Sequence, residues 1–491
     1  MKKQLILLLL TLAFGVQSAI CAELDIIYWS DLHSQNTPGV VNIDDQAVSV
    51  GGVPRLAGML KAMAPDENRT LIINAGNDFT GTPVSSITKG ASQIDILNKL
   101  GIDIFVPGAH EFDHGWKSLK KVSKQADFSI LLANVQDTAA GTTLFPPYEL
   151  FHKNGIDVAV IGIISPVFRF SIFREGILGL QMNDILTEAA SFVKTFKDSA
   201  DILVAVTNVG WLGDSLLAEN RGDFDLIIGG SNDTAYVSPR IVNDVLIVQA
   251  GSHSRNIGWL SLEVDTNANR ISRHDGSVIE LKEGVVEPDE KLASHVAKLE
   301  KKYTKKLNRS IGKLAIDWNI ERRQPCNLAQ WVTGVMLKSV PVANLAMINN
   351  GSLKKGLPAG NITERDIWEI FPMESPMVVI QLTGRELIHI VSRQLKNPPE
   401  YCTWQGLHVI SDDGKTTSIK VNGYKVHDLD EFSIVTTGFV WENLAYYTGI
   451  RANPKRRPCI YLPVSVREML IETIEKERVV SKPLDNRWDV N

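Results

Sequence analysis

The sequence predicts an α/β protein, a layered domain joined by one long helix to a smaller α+β domain, and three observations carry that reading. From Leu24 to about Leu281, short β-rich runs alternate with amphipathic stretches. Next comes a charged segment from Pro288 to Asn308 with a narrow apolar seam. Beyond Ile311 one helical stretch is followed mostly by strand-like runs and turn signals. At 491 residues the chain is too long for one ordinary core.

Leu24–Ser30, Thr70–Ala75, Asp103–Val106, Ser129–Ala133, Val158–Ile163, Ile202–Thr207, Asp225–Ile228 and Val245–Gln249 read as strands. Pro54–Ala64, Ala91–Leu100, Gly115–Gln125 and Leu186–Lys197 read as helices between them. Such alternation predicts helices covering a largely buried sheet. In the charged segment Leu292, Val296, Leu299 and Tyr303 are spaced four, three and four, and Pro288, Asp289 and Glu290 suit a first turn. That is one long exposed helix. In the last part Asn327–Ser339 reads as a helix, with turns at Asn349–Gly351, Asp412–Gly414 and Asn422–Gly423. The expected boundaries are a signal peptide over 1–22, a first domain over 23–285, a linker helix over 286–309 and a second domain over 310–491.

The first residues have their own logic. Lys2 and Lys3 precede an apolar run from Leu5 to Val16 and a small-residue stretch ending at Ala22. The order is that of a secretory signal, and the run is too short to span a bilayer. Cleavage near Ala22 predicts a periplasmic or secreted protein without a membrane span. The apolar fraction of 44% and charged fraction of 22% are those of a soluble globular chain. The net charge of −5 becomes more negative once Lys2 and Lys3 are removed, which argues against nucleic acid as a partner. Cys326, Cys402 and Cys459 allow one disulfide with a thiol left over, and their spacing does not suggest zinc.

Chemistry gathers at the strand ends. The first strand runs into Asp31-Leu32-His33, a carboxylate and an imidazole that can converge on one ion. Alone, that pair is weak evidence. The next strands end in Ala75-Gly76-Asn77-Asp78, Gly108-Ala109-His110-Glu111-Phe112-Asp113, Thr207-Asn208-Val209-Gly210 and Gly229-Gly230-Ser231-Asn232-Asp233. Several polar, glycine-flanked tips after successive strands indicate a site more than ordinary loops do. Asp78 and His253 are compensating candidates, though neighbours on an extended chain point to opposite faces, which turns Asp78 away from Asn77.

With these segments, and with Asn327-Leu328, Leu357–Thr363 and Leu382-Thr383-Gly384 downstream, the chain resembles the secreted 5′-nucleotidases. That family joins a calcineurin-like metallophosphoesterase domain to a 5′-nucleotidase C-terminal domain. The resemblance implies a dinuclear metal centre that activates a water and clamps a phosphoryl group. It assigns the metal positions to Asp31, His33, Asn77, Asn208 and Asp233, and the catalytic pair to His110 oriented by Asp113. The second ion's four ligand positions read Asn77, Ala109, Asn208 and Ser231, all changed from the family pattern, so at most one divalent ion (Mn, Zn or Mg) is expected. In the second domain the phosphate-binding arginine position is Lys354, which keeps the charge and loses the bidentate fork. Asn349, Tyr401, Trp404 and Phe439 are the remaining candidates for a nucleotide or other anionic ligand. The expected function is a nucleotidase-like phosphoric-monoester hydrolase of the cell envelope with weak or absent turnover. The alternatives are a non-catalytic nucleotide-, anion- or protein-binding descendant, or a hydrolase of another ester such as a sulfur ester.

Overall fold

The structure, a computed structural model, describes residues 21–43, 46–166, 174–231, 234–372, 375–396, 400–412, 415–450, 459–485 and 488–490. Most of the predicted signal, Asp233 and part of the Asp412–Gly414 turn lie outside these residues. Cys21 and Ala22 open the first strand, opposite Asp265 and Val264.

The predicted strands of the first unit form, but they divide between two six-stranded sheets rather than one. In the first, Cys21–Trp29 pairs in parallel with Thr70–Asn74, which continues through Ile104–Phe105 to Ser129–Ile130. Its other side carries a long antiparallel pair, Asn256–Asp265 and Arg270–Glu280. In the second sheet Ile156–Ile164, Ile202–Asn208, Leu226–Gly229 and Val245–Val248 run parallel, with antiparallel strands at both edges.

Strand alternation explains how the sheets stack. Val158, Val160, Val204 and Val206 belong to one core with Leu24, Ile26 and Ile73 of the first sheet. Their neighbours Ala159, Ile161, Leu203 and Ala205 face the other way, into a second core with Phe192, Val193 and Leu217. Successive side chains of a strand point to opposite faces, so a sheet covered on both sides reads as an unbroken apolar run. Helices Val53–Met63 and Ala91–Leu100 cover the first sheet, and Ile185–Phe196 and Gly210–Asn220 the second.

The charged segment is the helix Glu290–Leu307. Asp289 caps it by accepting from the Leu292 amide at 2.6 Å. Its seam residues Leu292 and Val296 close the core of the first unit. At its far end Arg365, from the helix Glu364–Ile370, reaches Glu300 at 3.1 Å. The second unit has more helix than expected: Gly384–Leu395 and Val466–Glu477 flank a five-stranded sheet built around Leu345–Asn349, Glu431–Thr437 and Pro376–Thr383. Cys326 and Cys402 are buried free thiols, so neither joins the disulfide that the count allowed. Among the described residues, no helix is long and apolar enough to cross a membrane.

Candidate active site

The parallel strands bring their C-terminal tips together, and the backbone there is unusual. Asp31, His33, Asn77, Ser231 and His253 all have φ between 47° and 70°. Residues with side chains enter this left-handed region at a cost, and such positions cluster where a site dictates the geometry. Backbone bonds fix the turns to one another. The Asp31 amide donates to the Gly76 carbonyl at 2.7 Å, His33 to Asn77 at 3.0 Å, and His253 to Asp31 at 2.8 Å.

Asp31 is the centre of this arrangement, 2% exposed. The Asn77 side-chain amide donates to its Oδ1 at 2.8 Å, and the Ser231 backbone N–H reaches Oδ2 at 2.9 Å. Burial pushes the Asp31 carboxyl up to about 7, against the lowering effect of these hydrogen bonds. The Asn77 carbonyl oxygen in turn accepts from the His110 backbone N–H at 3.1 Å. Asn208 donates its amide to the Ala75 carbonyl at 2.7 Å. Both amides press on Gly108: a Cβ there would fall 2.4 Å from Asn77 Oδ1 and 2.7 Å from Asn208 Oδ1. Only glycine lets the three strand tips close this tightly.

His110 and Asp113 form a hydrogen bond of 2.9 Å through Nδ1. Burial disfavours the charged imidazole, but Asp113, Glu111 and Asp31 outweigh it and hold the pKa of His110 above the ordinary histidine value. His33 presents Nδ1 to the Thr80 carbonyl at 3.2 Å; a carbonyl only accepts, so Nδ1 carries the proton. The His33 ring lies 5.2 Å from that of His110 and 5.1 Å from that of His253, centroid to centroid. The exposed His253 therefore belongs to the site, although only its place in a glycine-rich turn hinted at it.

Two acids lie behind this surface. Asp78 is fully buried and accepts from the Leu32 amide at 3.2 Å and the Asn74 side chain at 2.6 Å, so it turns away from Asn77. Glu111 accepts from the backbone amides of Asn77, Asp78, Phe79 and Gly108, at 2.6–3.0 Å. It is the splint that holds the second and third tips together. Sequence reasoning did not single it out, because its partners are main-chain groups without any residue signature.

The candidates of the second unit form their own cluster. Asn349 is 2% exposed and donates to the Tyr447 hydroxyl at 3.3 Å and to Glu400 at 3.4 Å. Glu400 packs over Gly351, where a Cβ would fall 1.7 Å from its Oε1. Partial desolvation and the neighbouring Arg322 press the Lys354 ammonium below the ordinary lysine value, while Glu400 opposes them. Tyr401 is half-buried, and its backbone amide donates to the Arg322 carbonyl at 3.1 Å. Phe439 is half-buried with its ring 6.1 Å from Tyr447. Trp404 lies in the core at 2% exposure, packed with Leu345, Met347 and Leu407.

Residues 309–448 match the family model of the 5′-nucleotidase C-terminal domain. A 5′-nucleotidase of Vibrio vulnificus is 26% identical over 425 residues, covering 76% of each chain. A 5′-nucleotidase precursor from Thermus thermophilus superposes with a TM-score of 0.77 at 20% identity, over 95% of this chain and 99% of that one. The Thermus thermophilus sulfate thiohydrolase SoxB shares the fold, with a TM-score of 0.71 at 16% identity over 95% and 96% of the two chains. With two stacked sheets at the N-terminal end and this matched segment at the other, residues 309–448 form a 5′-nucleotidase C-terminal domain, and the chain as a whole is similar in sequence and fold to the 5′-nucleotidases.

Proposed function

We propose that the chain is an exported phosphoester-binding member of this family, with the site around Asp31, His33 and His110 engaging the phosphoryl group and hydrolysis weak or absent. The proposed organisation keeps the boundaries 23–285, 286–309 and 310–491 after a signal over 1–22. The observation that carries the reading is the hydrogen bond from the Asn77 amide to Asp31. Family membership implies divalent metal, and a bridging position calls for a carboxylate shared by two cations. Here a neutral amide donor meets the carboxylate instead.

The donor set fits a second ion poorly. Asn77 and Asn208 spend their amides on Asp31 and Ala75, and Ala109 has no side-chain donor atom. Among the described residues, no group of three His, Cys, Asp or Glu side chains is placed to hold an ion. Asp31 and His33 need a further ligand; Asp233, the candidate for it, lies outside the described residues. The proposal is therefore at most one divalent ion. His110, oriented by its hydrogen bond to Asp113, is suited to a phosphoryl oxygen or a leaving group. Lys354 and Asn349 are proposed to contact the rest of a nucleotide.

The test is elemental analysis of the purified chain, followed by phosphate release from nucleotides with added manganese or zinc. We expect no more than one ion per chain and slow release. Two tightly held ions with brisk release would sink the proposal. One ion that disappears with Asp31→Ala or His33→Ala identifies the single-metal form.

A further inference from the structure

Between the linker helix and two helices of the first unit lies a cavity of about 490 Å³, lined by none of the candidate site residues described above. Lys61 enters it from the helix Val53–Met63 and Lys99 from Ala91–Leu100. Asp289, Lys291, His295 and Lys298 line it from the linker helix and its cap. Lys291, His295 and Lys298 stand four and three residues apart and so share one helix face.

The charges around this cavity do not balance. Asp289 pairs with Lys61. Asp95 serves two partners, Lys99 at 2.9 Å and His295 at 2.5 Å. Lys291 and Lys298 form no ion pair among the described residues. Four ammonium groups from three helices thus surround one concavity with two carboxylates between them, in a chain whose net charge is −5. A merely solvated face spreads its lysines outward; a concave arrangement concentrates their field and raises the local concentration of anions.

We propose that this cavity binds a compact polyanion carrying closely spaced phosphate charges, either free pyrophosphate or a phosphomonoester lipid headgroup. Lysine provides the point charges and rotatable donors such a ligand takes. Bound there, the anion bridges Lys61 and Lys99 of the first unit to Lys291 and Lys298 of the linker helix, and stabilises the docking of that helix.

The experiment titrates the full chain with pyrophosphate in low salt, by calorimetry. Lys291→Glu/Lys298→Glu is expected to weaken binding about tenfold or more, since two favourable charges become repulsive. Lys420→Glu/Lys425→Glu, the same charge change on exposed strands of the second unit, is expected to leave binding unchanged. Lys291→Gln/Lys298→Gln gives an intermediate loss without adding acids, and guards against misfolding of the double glutamate. Co-sedimentation with phosphatidic acid vesicles, lost in the same variant while pyrophosphate fails to bind, assigns the site to the lipid source. Binding that survives both cavity variants, falls equally in the control, or is absent with both probes overturns the proposal.

Discussion

Asn77 joins two functional residues at this site, because its one side chain bonds to both Asp31 and His110. The amide nitrogen supplies Asp31 with a neutral donor, and the carbonyl oxygen receives the His110 backbone N–H. Asn77→Asp keeps the second bond and replaces the first with two carboxylates face to face. In chelator this change should cost about 1–3 kcal/mol of stability, the usual penalty for leaving a buried group unsatisfied. Manganese should restore much of it, so the variant's melting temperature should rise with metal far more than the parent's. An unaltered melting temperature in chelator would show that the Asn77–Asp31 bond has no energetic weight. A second buried acid gives a pH signature. Asp214 is fully buried, accepts from the Thr207 hydroxyl at 2.5 Å, and has no partner for Oδ2 among the described residues. Burial pushes its carboxyl up to about 7, whereas an unfolded aspartate titrates near its ordinary ~3.9. Between those values the folded state holds the extra proton, so this residue's contribution to stability is full below about pH 4 and is lost as pH rises through about 7. Asp214→Asn should therefore gain on the parent between pH 5 and pH 8, as read by urea unfolding at both; parallel losses would refute it. Residues of this kind differ in how far a sequence reveals them. Asp31, His33, Asn77 and His110 follow apolar runs in short polar motifs, whereas Glu111 and Asp214 act largely on groups that folding brings near.

The linker helix shows the same limit among elements. Its apolar spacing and its start were legible because both are local: the seam follows the helical period, and the cap is one residue. Asp289 does two jobs there, capping the helix through the Leu292 amide and pairing with Lys61. Asp289→Ala should cost about 0.5–2 kcal/mol, the range for losing an N-cap. Asp289→Asn keeps a capping oxygen and loses the exposed ion pair, so its cost should stay below about 1 kcal/mol. Chemical unfolding of both variants separates the roles, and equal costs would show that the cap is not what matters. Where local signals were weak, elements escaped. Gly210–Asn220 buries Leu217 and leaves Leu212 and Leu216 exposed, so no clean seam announces it. Gly384–Leu395 and Val466–Glu477 begin with capping boxes, Thr383 with Glu386 and Ser465 with Glu468, a signal present in the sequence and overlooked beside the neighbouring strands. The division into two sheets had no local signal at all, because an apolar run says that both faces are covered and not by what.

Over the whole molecule, metal uptake and nucleotide turnover become separable demands, since the proposed metal positions lie in the first unit and the proposed nucleotide contacts in the second. The variant Asn77→Asp, Ala109→Asn, Asn208→His, Ser231→His places in the first unit the four ligand types that the family resemblance implies for a second ion. Asn208 sits 2% exposed against Gly108 and Ala75, so a histidine there loses the bond to the Ala75 carbonyl and crowds the glycine. Overpacking of that kind costs about 1–3 kcal/mol, which bound metal can offset. The expected outcome is more metal per chain by elemental analysis than in the parent, with a melting temperature that depends on metal. Phosphate release from nucleotides should rise little, because the second unit still offers Lys354 at the proposed phosphate contact, without an arginine's bidentate fork, and Glu400 still crowds the Asn349–Gly351 turn. Adding Lys354→Arg to the four should then raise release further without changing metal content. If the fourfold variant folds and takes up no more metal than the parent, the obstacle is the placement of the strand tips themselves and not the identity of the ligands.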